Sequence, residues 1–197
     1  MNYMDEIIST MEKQNGLITT AQVSDAHIPR CYLSEMIKRG LIERVERGIY
    51  VLPEAWEDEM FLLQLRYRKG IYSHETALYL HGFTDRTPLK FVMTFPYGYH
   101  AESIHAANVS MRKSISKLYG VGITQCASPC GNSIKLYNLE RTLCDVVRGD
   151  NSCDVHIVNQ AMKQYAGYRN KNISRLVKYA ELLRVKTKIV KYMEILL

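Results

Sequence analysis

The segment RGLIERVERGIYVLP, residues 39–53, constrains the fold of this chain more than any other feature. It contains two short apolar runs, LIERV and IYVL, which are separated by Glu46, Arg47 and Gly48. This pattern predicts a β-hairpin, because glycine permits the positive φ that a tight turn requires. The preceding helical pattern ends at Gly40, a natural left-handed C-cap, so a helix is predicted to lead directly into the hairpin.

Two helices are predicted upstream of this segment. Apolar residues between positions 4 and 11 recur at the spacing of one helical face, and Asn15-Gly16 ends that helix. The second helix, AQVSDAH, follows Thr19 or Thr20, either of which can serve as its N-cap.

A third helix, RCYLSEMIKR, begins after Ile28-Pro29. Proline suits the start of a helix because its missing N–H has no partner there. At 100° per residue, Leu33, Met36 and Ile37 form the predicted apolar face. The opposite face carries Cys31, Ser34, Glu35 and Lys38.

Two short helices joined by a tight turn and followed by a hairpin predict a winged helix-turn-helix domain, which we assign to residues 1–54. In such domains the second of these helices enters the major groove, and the wing reaches a phosphate or the minor groove. We expect base contacts from Arg30, Cys31 and Ser34. We expect contacts to the DNA backbone from Lys38, Arg39, Arg44 and Arg47.

The charge distribution leaves a second interpretation of this domain open. Residues 1–60 contain 6 Lys and Arg against 11 Asp and Glu, whereas the rest contains 20 against 9, so the composition changes near residue 55. The stretch PEAWEDE, residues 53–59, is the predicted linker. A net acidic winged helix can also serve as a protein-contact module. Three carboxylates close to the proposed DNA contacts predict modest intrinsic affinity: Glu35, Glu43 and Glu46.

The sequence of residues 55–197 predicts a larger domain that contains both helices and strands, with a small sheet and C-terminal helices. The predicted fold class is therefore α+β. Its predicted strands are KFVMTFP, NVSMRKS, VGITQCAS and SIKLYN. Two helices carry candidate N-caps, Ser73 before HETALYLH and Asn138 before LERTLCDVVRG. Further helices are predicted at 58–69, 154–166, 172–184 and 186–196.

The C-terminal part is strongly basic. Residues 163–191 carry nine Lys and Arg against the single carboxylate of Glu181. This imbalance favours a second electrostatic surface for DNA backbone, an RNA or an acidic protein, although an ordinary solvated surface is the alternative. The candidates are Lys163, Arg169, Lys171, Arg175, Lys178, Arg184, Lys186 and Lys188, with Lys191 beside them.

Motifs for chemistry are weak. His74, Glu75, His81 and Asp85 lack metal-site spacing, so capping and packing roles are favoured. Cys126 and Cys130 have no second ligand pair. Glu140, Arg141 and Asp145 predict either a buried ion pair or a contact site. We therefore expect no catalytic residues, no metal, no cofactor and no enzyme activity.

Two further features bear on localisation. Five cysteines, an odd number without regular spacing, fit a reducing cytoplasm better than a disulfide framework. No apolar run is long enough to span a membrane, and no secretory leader is evident. We expect a cytoplasmic protein with no membrane partner.

The chain resembles the AbiEi-type antitoxins of type IV toxin–antitoxin and phage abortive-infection systems. The resemblance rests on the winged-helix segment ending RGLIERVERGIYVLP, followed in order by HETALYLHG and LYNLERTLCDVVRG. It implies a repressor that binds inverted repeats in its own promoter. It also implies a C-terminal antitoxin domain that counteracts a nucleotidyltransferase toxin without a stable complex.

The sequence leaves three further expectations. We expect a monomer in solution and two copies on a palindromic operator. A nuclease or modifying C-terminal domain behind the winged helix is the first alternative function. A direct toxin-masking adaptor is the second.

Overall fold

The computed structural model describes residues 2–55, 58–101, 104, 107–149 and 153–196. Positions 56 and 57 of the predicted linker lie outside these residues. The chain divides into two compact units. Unit 1 comprises Met1–Phe61 and Ala127–Asn132, and unit 2 comprises Leu62–Cys126 and Ser133–Leu197.

Unit 1 contains the predicted helices and hairpin and one additional strand. Its elements are α1 (Tyr3–Glu12), β1 (Leu17–Thr19), α2 (Thr20–Asp25), α3 (Cys31–Lys38), β2 (Glu43–Glu46) and β3 (Ile49–Val51). The strands form an antiparallel sheet in the order β1-β3-β2. The unpredicted strand β1 therefore pairs with β3 and makes the hairpin part of a three-stranded sheet.

The helices of unit 1 pack over an apolar core, and α1 and α2 begin at side-chain caps. Ile7, Met11 and Met36 are fully buried in this core. Thr19 accepts a hydrogen bond from the Gln22 backbone N–H, and the Gln22 side chain returns to the Thr19 N–H, which completes a capping box. Ile37 was predicted on the buried face of α3, but that prediction is wrong. Its side chain is 38% exposed, because the core is filled by Leu33 and Met36 on the adjacent positions.

The segment Ala127–Asn132 joins unit 1 through polar contacts that the sequence did not predict. Asp58 accepts a short hydrogen bond from the Ser128 hydroxyl and a 2.8 Å bond from Asn132 Nδ2. Asn132 Oδ1 in turn accepts from Asn15 Nδ2 at 3.2 Å. Asp58 is nearly fully buried, so these donors compensate the cost of removing its carboxylate from water.

The remaining elements are a mixture of helices and strands that ends in four consecutive helices. They are α4 (Glu59–Arg66), β4 (Ile71–Tyr72), α5 (His74–Leu80), β5 (Phe91–Pro96), β6 (Val109–Ser114), α6 (Ser116–Tyr119), β7 (Ile123–Ala127), β8 (Ser133–Tyr137), α7 (Leu139–Val146), α8 (Val155–Gly167), α9 (Ile173–Leu182) and α10 (Lys186–Leu196). The sheet order is β6-β5-β4-β8-β7. β5 and β6 pair in parallel, as do β4 and β8, whereas β4 and β5 are antiparallel. These elements confirm the predicted α+β class.

Helix α7 is the centre of unit 2 and is buried along its whole length. Asn138 caps it by accepting a hydrogen bond from the Arg141 N–H, as predicted. Arg141 Nε contacts both carboxylate oxygens of Asp145, at 3.1 and 3.0 Å, so the ion-pair interpretation of these residues is confirmed. Ser73 occupies the predicted N-cap position of α5, but its side chain makes no capping bond and contacts Thr94 instead.

Candidate nucleic-acid interface

The seven residues predicted to contact DNA all have exposed side chains. Arg30, Cys31, Ser34 and Lys38 lie at or along α3, and Arg39 follows it directly. The alternation of buried Leu33 and Met36 with these positions turns the polar face outward. Helix α3 therefore presents a surface that includes the predicted base-reading positions.

Arg30 is positioned by the helix that precedes α3. Its Nε donates a 3.0 Å hydrogen bond to Ser24 Oγ, at the end of α2. The turn between the two helices passes through His27, which has a φ of 59°. The bond to Ser24 uses one N–H of the guanidinium and leaves the others available to an acceptor outside the protein.

The wing is a short hairpin with Arg47 and Gly48 at its tip. Gly48 has a φ of 79°, as the sequence predicted for this turn. Arg44 Nε donates to the Glu46 carbonyl at 3.1 Å, which holds the Arg44 side chain along the hairpin. The pairing register shifts between Arg44 and Glu46, an irregularity of the kind that re-aims side chains next to a tip.

The positive charges of unit 1 are concentrated in one part of its sequence. Of the six cations in residues 1–60, all but Lys13 fall between residues 30 and 47. Arg39 pairs with Glu35 at 2.9 Å, so this carboxylate is partly neutralised within α3. Lys38 and Arg47 make no hydrogen bond or ion pair with any other residue that the structure describes. Their charges are therefore available to a polyanion.

Half of the eight basic residues predicted to form a surface in the C-terminal part already have a partner. Lys171 Nζ donates to the Ala166 carbonyl, Arg175 approaches Glu140 at 3.6 Å, and Lys186 pairs with Glu181. Lys188 Nζ donates to the Val147 carbonyl at 3.2 Å. The other four have exposed side chains and no hydrogen bond or ion pair within the described part of the chain: Lys163, Arg169, Lys178 and Arg184.

The cysteines and histidines of the weaker sequence motifs lie in surroundings that the structure describes. All five cysteines are free, and burial raises the pKa of the Cys126 thiol, which disfavours a metal-binding thiolate. A ring nitrogen of His81, Nε2, lies 2.8 Å from the Tyr137 carbonyl oxygen, and burial lowers the pKa of this histidine. Among the described residues, no group of three or more His, Cys, Asp or Glu is placed to hold a metal ion.

The sequence analysis did not predict one further group of cations, which also lies in unit 2. Arg112, Lys113 and Arg148 line one cavity together with Arg141. They belong to β6, to α7 and to the residues that follow α7, so no short motif contains them. The adjacent Arg-Lys pair in NVSMRKS was the only local signal.

The fold of unit 1 is a winged helix-turn-helix, a fold that many DNA-binding proteins share, and its α3 and wing carry exposed cations. Residues 5–53 match the model of a family described as "Transcriptional regulator, AbiEi antitoxin". This match confirms the resemblance inferred from the sequence. It indicates a transcriptional regulator or antitoxin of abortive-infection systems, and that family is one of regulators rather than a known class of enzymes.

One solved structure extends the likeness to the whole fold. The RV2827C protein from Mycobacterium tuberculosis is similar with a TM-score of 0.58 and 13% sequence identity. The similarity covers 98% of this chain and 80% of that chain. At this identity the likeness shows the fold alone. No curated protein matches the sequence, and no helix among the described residues is long and apolar enough to cross a membrane.

Proposed function

We propose that this protein is the antitoxin of a type IV toxin–antitoxin system and represses its own operon. In this proposal, the winged helix of residues 1–54 binds inverted repeats in the promoter, and α3 lies in the major groove. Residues 55–197 counteract a nucleotidyltransferase toxin without forming a stable complex with it. The protein is a monomer in solution, and two copies bind the operator.

The observation that carries the DNA-binding part is the concentration of cations on α3 and the wing. Five of the six cations of residues 1–60 lie there, although this part of the chain is acidic as a whole. Arg30, Ser34 and Arg47 are all exposed, as groove and backbone contacts require. A module used only for protein contact has no need to collect its few positive charges on these two elements.

The acidic balance of unit 1 also shapes the proposal. Each carboxylate near the DNA backbone repels phosphate, so the winged helix alone should bind with modest affinity. The four uncommitted cations of α8–α10 and their connections provide additional sequence-independent attraction. The winged helix then supplies the sequence preference, and the basic residues of unit 2 supply part of the affinity for DNA.

Fluorescence anisotropy with the protein's own promoter tests the repressor function. We expect binding to the inverted repeats to exceed binding to a shuffled duplex by about a thousandfold or more at physiological salt. Equal affinity for both duplexes would contradict sequence-specific repression.

Co-expression with the nucleotidyltransferase toxin that this proposal requires tests the antitoxin function. Growth should be restored, and the two proteins should elute separately in size-exclusion chromatography. Co-elution as a stable complex would instead support the toxin-masking adaptor. Failure to restore growth would remove the antitoxin assignment but leave the repressor assignment intact.

A further inference from the structure

Unit 2 contains a small open cavity with an excess of positive charge among its described lining residues. Its volume is about 280 Å³, and three cationic side chains and one carboxylate belong to its described walls. The cations are Arg112 on β6, Arg141 on α7, and Arg148 just after α7. The carboxylate is that of Asp145, one turn along from Arg141.

The carboxylate is already committed to one of these cations. Arg141 and Asp145 form a fully buried ion pair, and Arg141 Nη1 donates to the carbonyls of Leu118 and Val121 at 2.7 and 2.9 Å. These bonds fix the guanidinium and satisfy most of its donors. The charge of Asp145 is therefore balanced mainly by Arg141, and the charge of Arg148 acts on the same carboxylate.

One cation of the cavity is free to bind a ligand. Arg148 has an exposed side chain, which makes no hydrogen bond or ion pair with another residue in the described ranges. Lys113 lines the cavity without aiming its side chain into it, because successive residues of β6 face opposite sides of the sheet and Arg112 and Ser114 face the cavity. Cations crowded at the edge of a low-dielectric interior repel one another, and an anion bound among them would relieve that repulsion.

The inner wall supplies neutral hydrogen-bonding groups. Thr94 Oγ1 donates to Ser73 Oγ at 2.8 Å, and Ser73 Oγ lies 3.0 Å from His74 Nδ1. The neutral ring carries one proton, on Nδ1 or on Nε2, and the contact with the Ser73 hydroxyl is a hydrogen bond in either tautomer, because this hydroxyl can donate or accept. Burial, followed by the charges of Arg112 and Arg141, lowers the pKa of His74 to about 3. The ring is thus neutral near pH 7.

His74 also has an unusual backbone conformation. It is a non-glycine residue with a φ of 52°, in the left-handed region, at the first position of α5. Such conformations cost free energy and concentrate at binding sites. Here the conformation holds the ring between the Ser73 hydroxyl and the cationic wall.

We propose that this cavity binds a phosphate group, either as inorganic phosphate or as the phosphate of a mononucleotide. Arg148 supplies an uncommitted positive charge to the phosphate, and Arg112 and Arg141 add positive charge along the walls of the same cavity. Its tetrahedral oxygens can accept hydrogen bonds from β6, α5 and the end of α7, which approach from different sides. Ligand pockets for larger molecules start at about 300 Å³, so this cavity is suited to a small ligand rather than a polymer.

Isothermal titration of the full chain with inorganic phosphate, at constant ionic strength set with chloride, tests the proposal. We expect one saturable site per chain. The variant R148Q should weaken binding by about tenfold or more, because it removes the uncommitted charged donor of the cavity. Arg148 is exposed, so we expect the fold to persist, which circular dichroism checks.

The matched control is R68Q, which removes the same charge from an exposed position that does not line the cavity. It should leave phosphate affinity within about twofold of the wild type, since constant ionic strength screens distant charges. Equal weakening in the two variants, or no saturable binding, would overturn the proposal. Because this titration uses no DNA, its result is independent of promoter binding.

Two further titrants distinguish the source of the phosphate. If the ligand is a mononucleotide, AMP should bind more tightly than inorganic phosphate, whereas equal affinities assign the site to the phosphate group alone. Adenosine should not bind in either case. Adenosine binding as tight as that of AMP would overturn the proposal, as would a site filled by an oligonucleotide but not by either phosphate compound.

Discussion

The backbone N–H of Thr20 donates a 2.8 Å hydrogen bond to the carbonyl of Gly48. This bond connects the tip of the wing to the first residue of α2. A Cβ atom added at Gly48 would lie 3.1 Å from Thr20 Oγ1, so the two segments pass as closely as glycine allows. The wing is therefore held against the helix-turn-helix motif by its own turn.

Gly48→Ala should destabilise unit 1 by more than the cost of a left-handed alanine alone, which is about 1 kcal/mol. Gly40→Ala is the matched control, because Gly40 has a φ of 68° but no atom within 4 Å of its added Cβ. Urea unfolding monitored by circular dichroism should show a larger free-energy loss for Gly48→Ala. Adding Thr20→Ala, which removes the crowding hydroxyl, should recover part of the difference. Equal losses of unfolding free energy in the two glycine variants would mean that the close approach of Gly48 to Thr20 does not affect stability.

Much of unit 1 was predictable because its signals are local. Caps, glycine positions and 3.6-residue periodicity each act within a few residues, and they placed α1, α2, α3 and the hairpin correctly. Strand β1 was missed because its three residues cannot display an alternating pattern. Its pairing with β3 depends on residues at least 30 positions away. Ile37 was misplaced because helical periodicity gives the direction of a side chain but not the extent of the core that covers it.

Unit 2 shows the same limit more strongly. The two-residue strand β4 pairs with both β5 and β8 at the middle of the sheet, yet IY alone carries no strand signal. The cationic cavity likewise depends on strand pairing, between β5 and β6. Thr94 on β5 lies opposite Arg112 on β6, and α7 brings Arg141 to them from later in the chain. Only tertiary structure brings these residues together.

Substitutions on α3 and on the wing should affect DNA binding in different ways. Arg47→Ala should weaken binding to the operator and to a shuffled duplex by a similar factor, because a phosphate contact carries no sequence information. Ser34→Ala and Arg30→Ala should each change the preference between duplexes by about 1–3 kcal/mol, the discrimination that one base contact provides. Anisotropy titrations on both duplexes measure the two effects separately.

The matched control for this series is Lys13→Ala. Lys13 is the one cation of residues 1–60 that lies outside α3 and the wing, and its side chain is exposed. Its removal should leave both affinities nearly unchanged. A uniform loss from Ser34→Ala together with a changed preference from Arg47→Ala would mean that the domain docks in a different orientation.

The uncommitted cations of unit 2 should contribute to the salt dependence of operator binding. Replacing Lys163, Arg169, Lys178 and Arg184 by Gln should lower the slope of log affinity against log salt by about 0.9 for each phosphate that these side chains neutralise. Lys186→Gln is the control, because Lys186 already pairs with Glu181. An unchanged slope in the fourfold variant would show that these residues form an ordinary solvated surface.

The buried histidine of the cavity should make stability depend on pH. The pKa of His74 is lowered in the folded protein from 6.5 to about 3, so the folded state binds fewer protons than the unfolded state between these values. Stability is then fully present above about pH 6.5 and is lost as the pH falls, by at most about 1.4 kcal/mol per pH unit. His74→Asn should remove this contribution, since asparagine does not titrate and tolerates a positive φ.

Urea unfolding of wild type and His74→Asn between pH 4 and pH 7 gives the measurement. The difference between their unfolding free energies should change in favour of the variant as the pH falls, whatever the level of stability at pH 7. His100→Asn is the matched control, because His100 is exposed and does not line the cavity. A difference that stays constant with pH would mean that His74 is not held neutral by the folded structure.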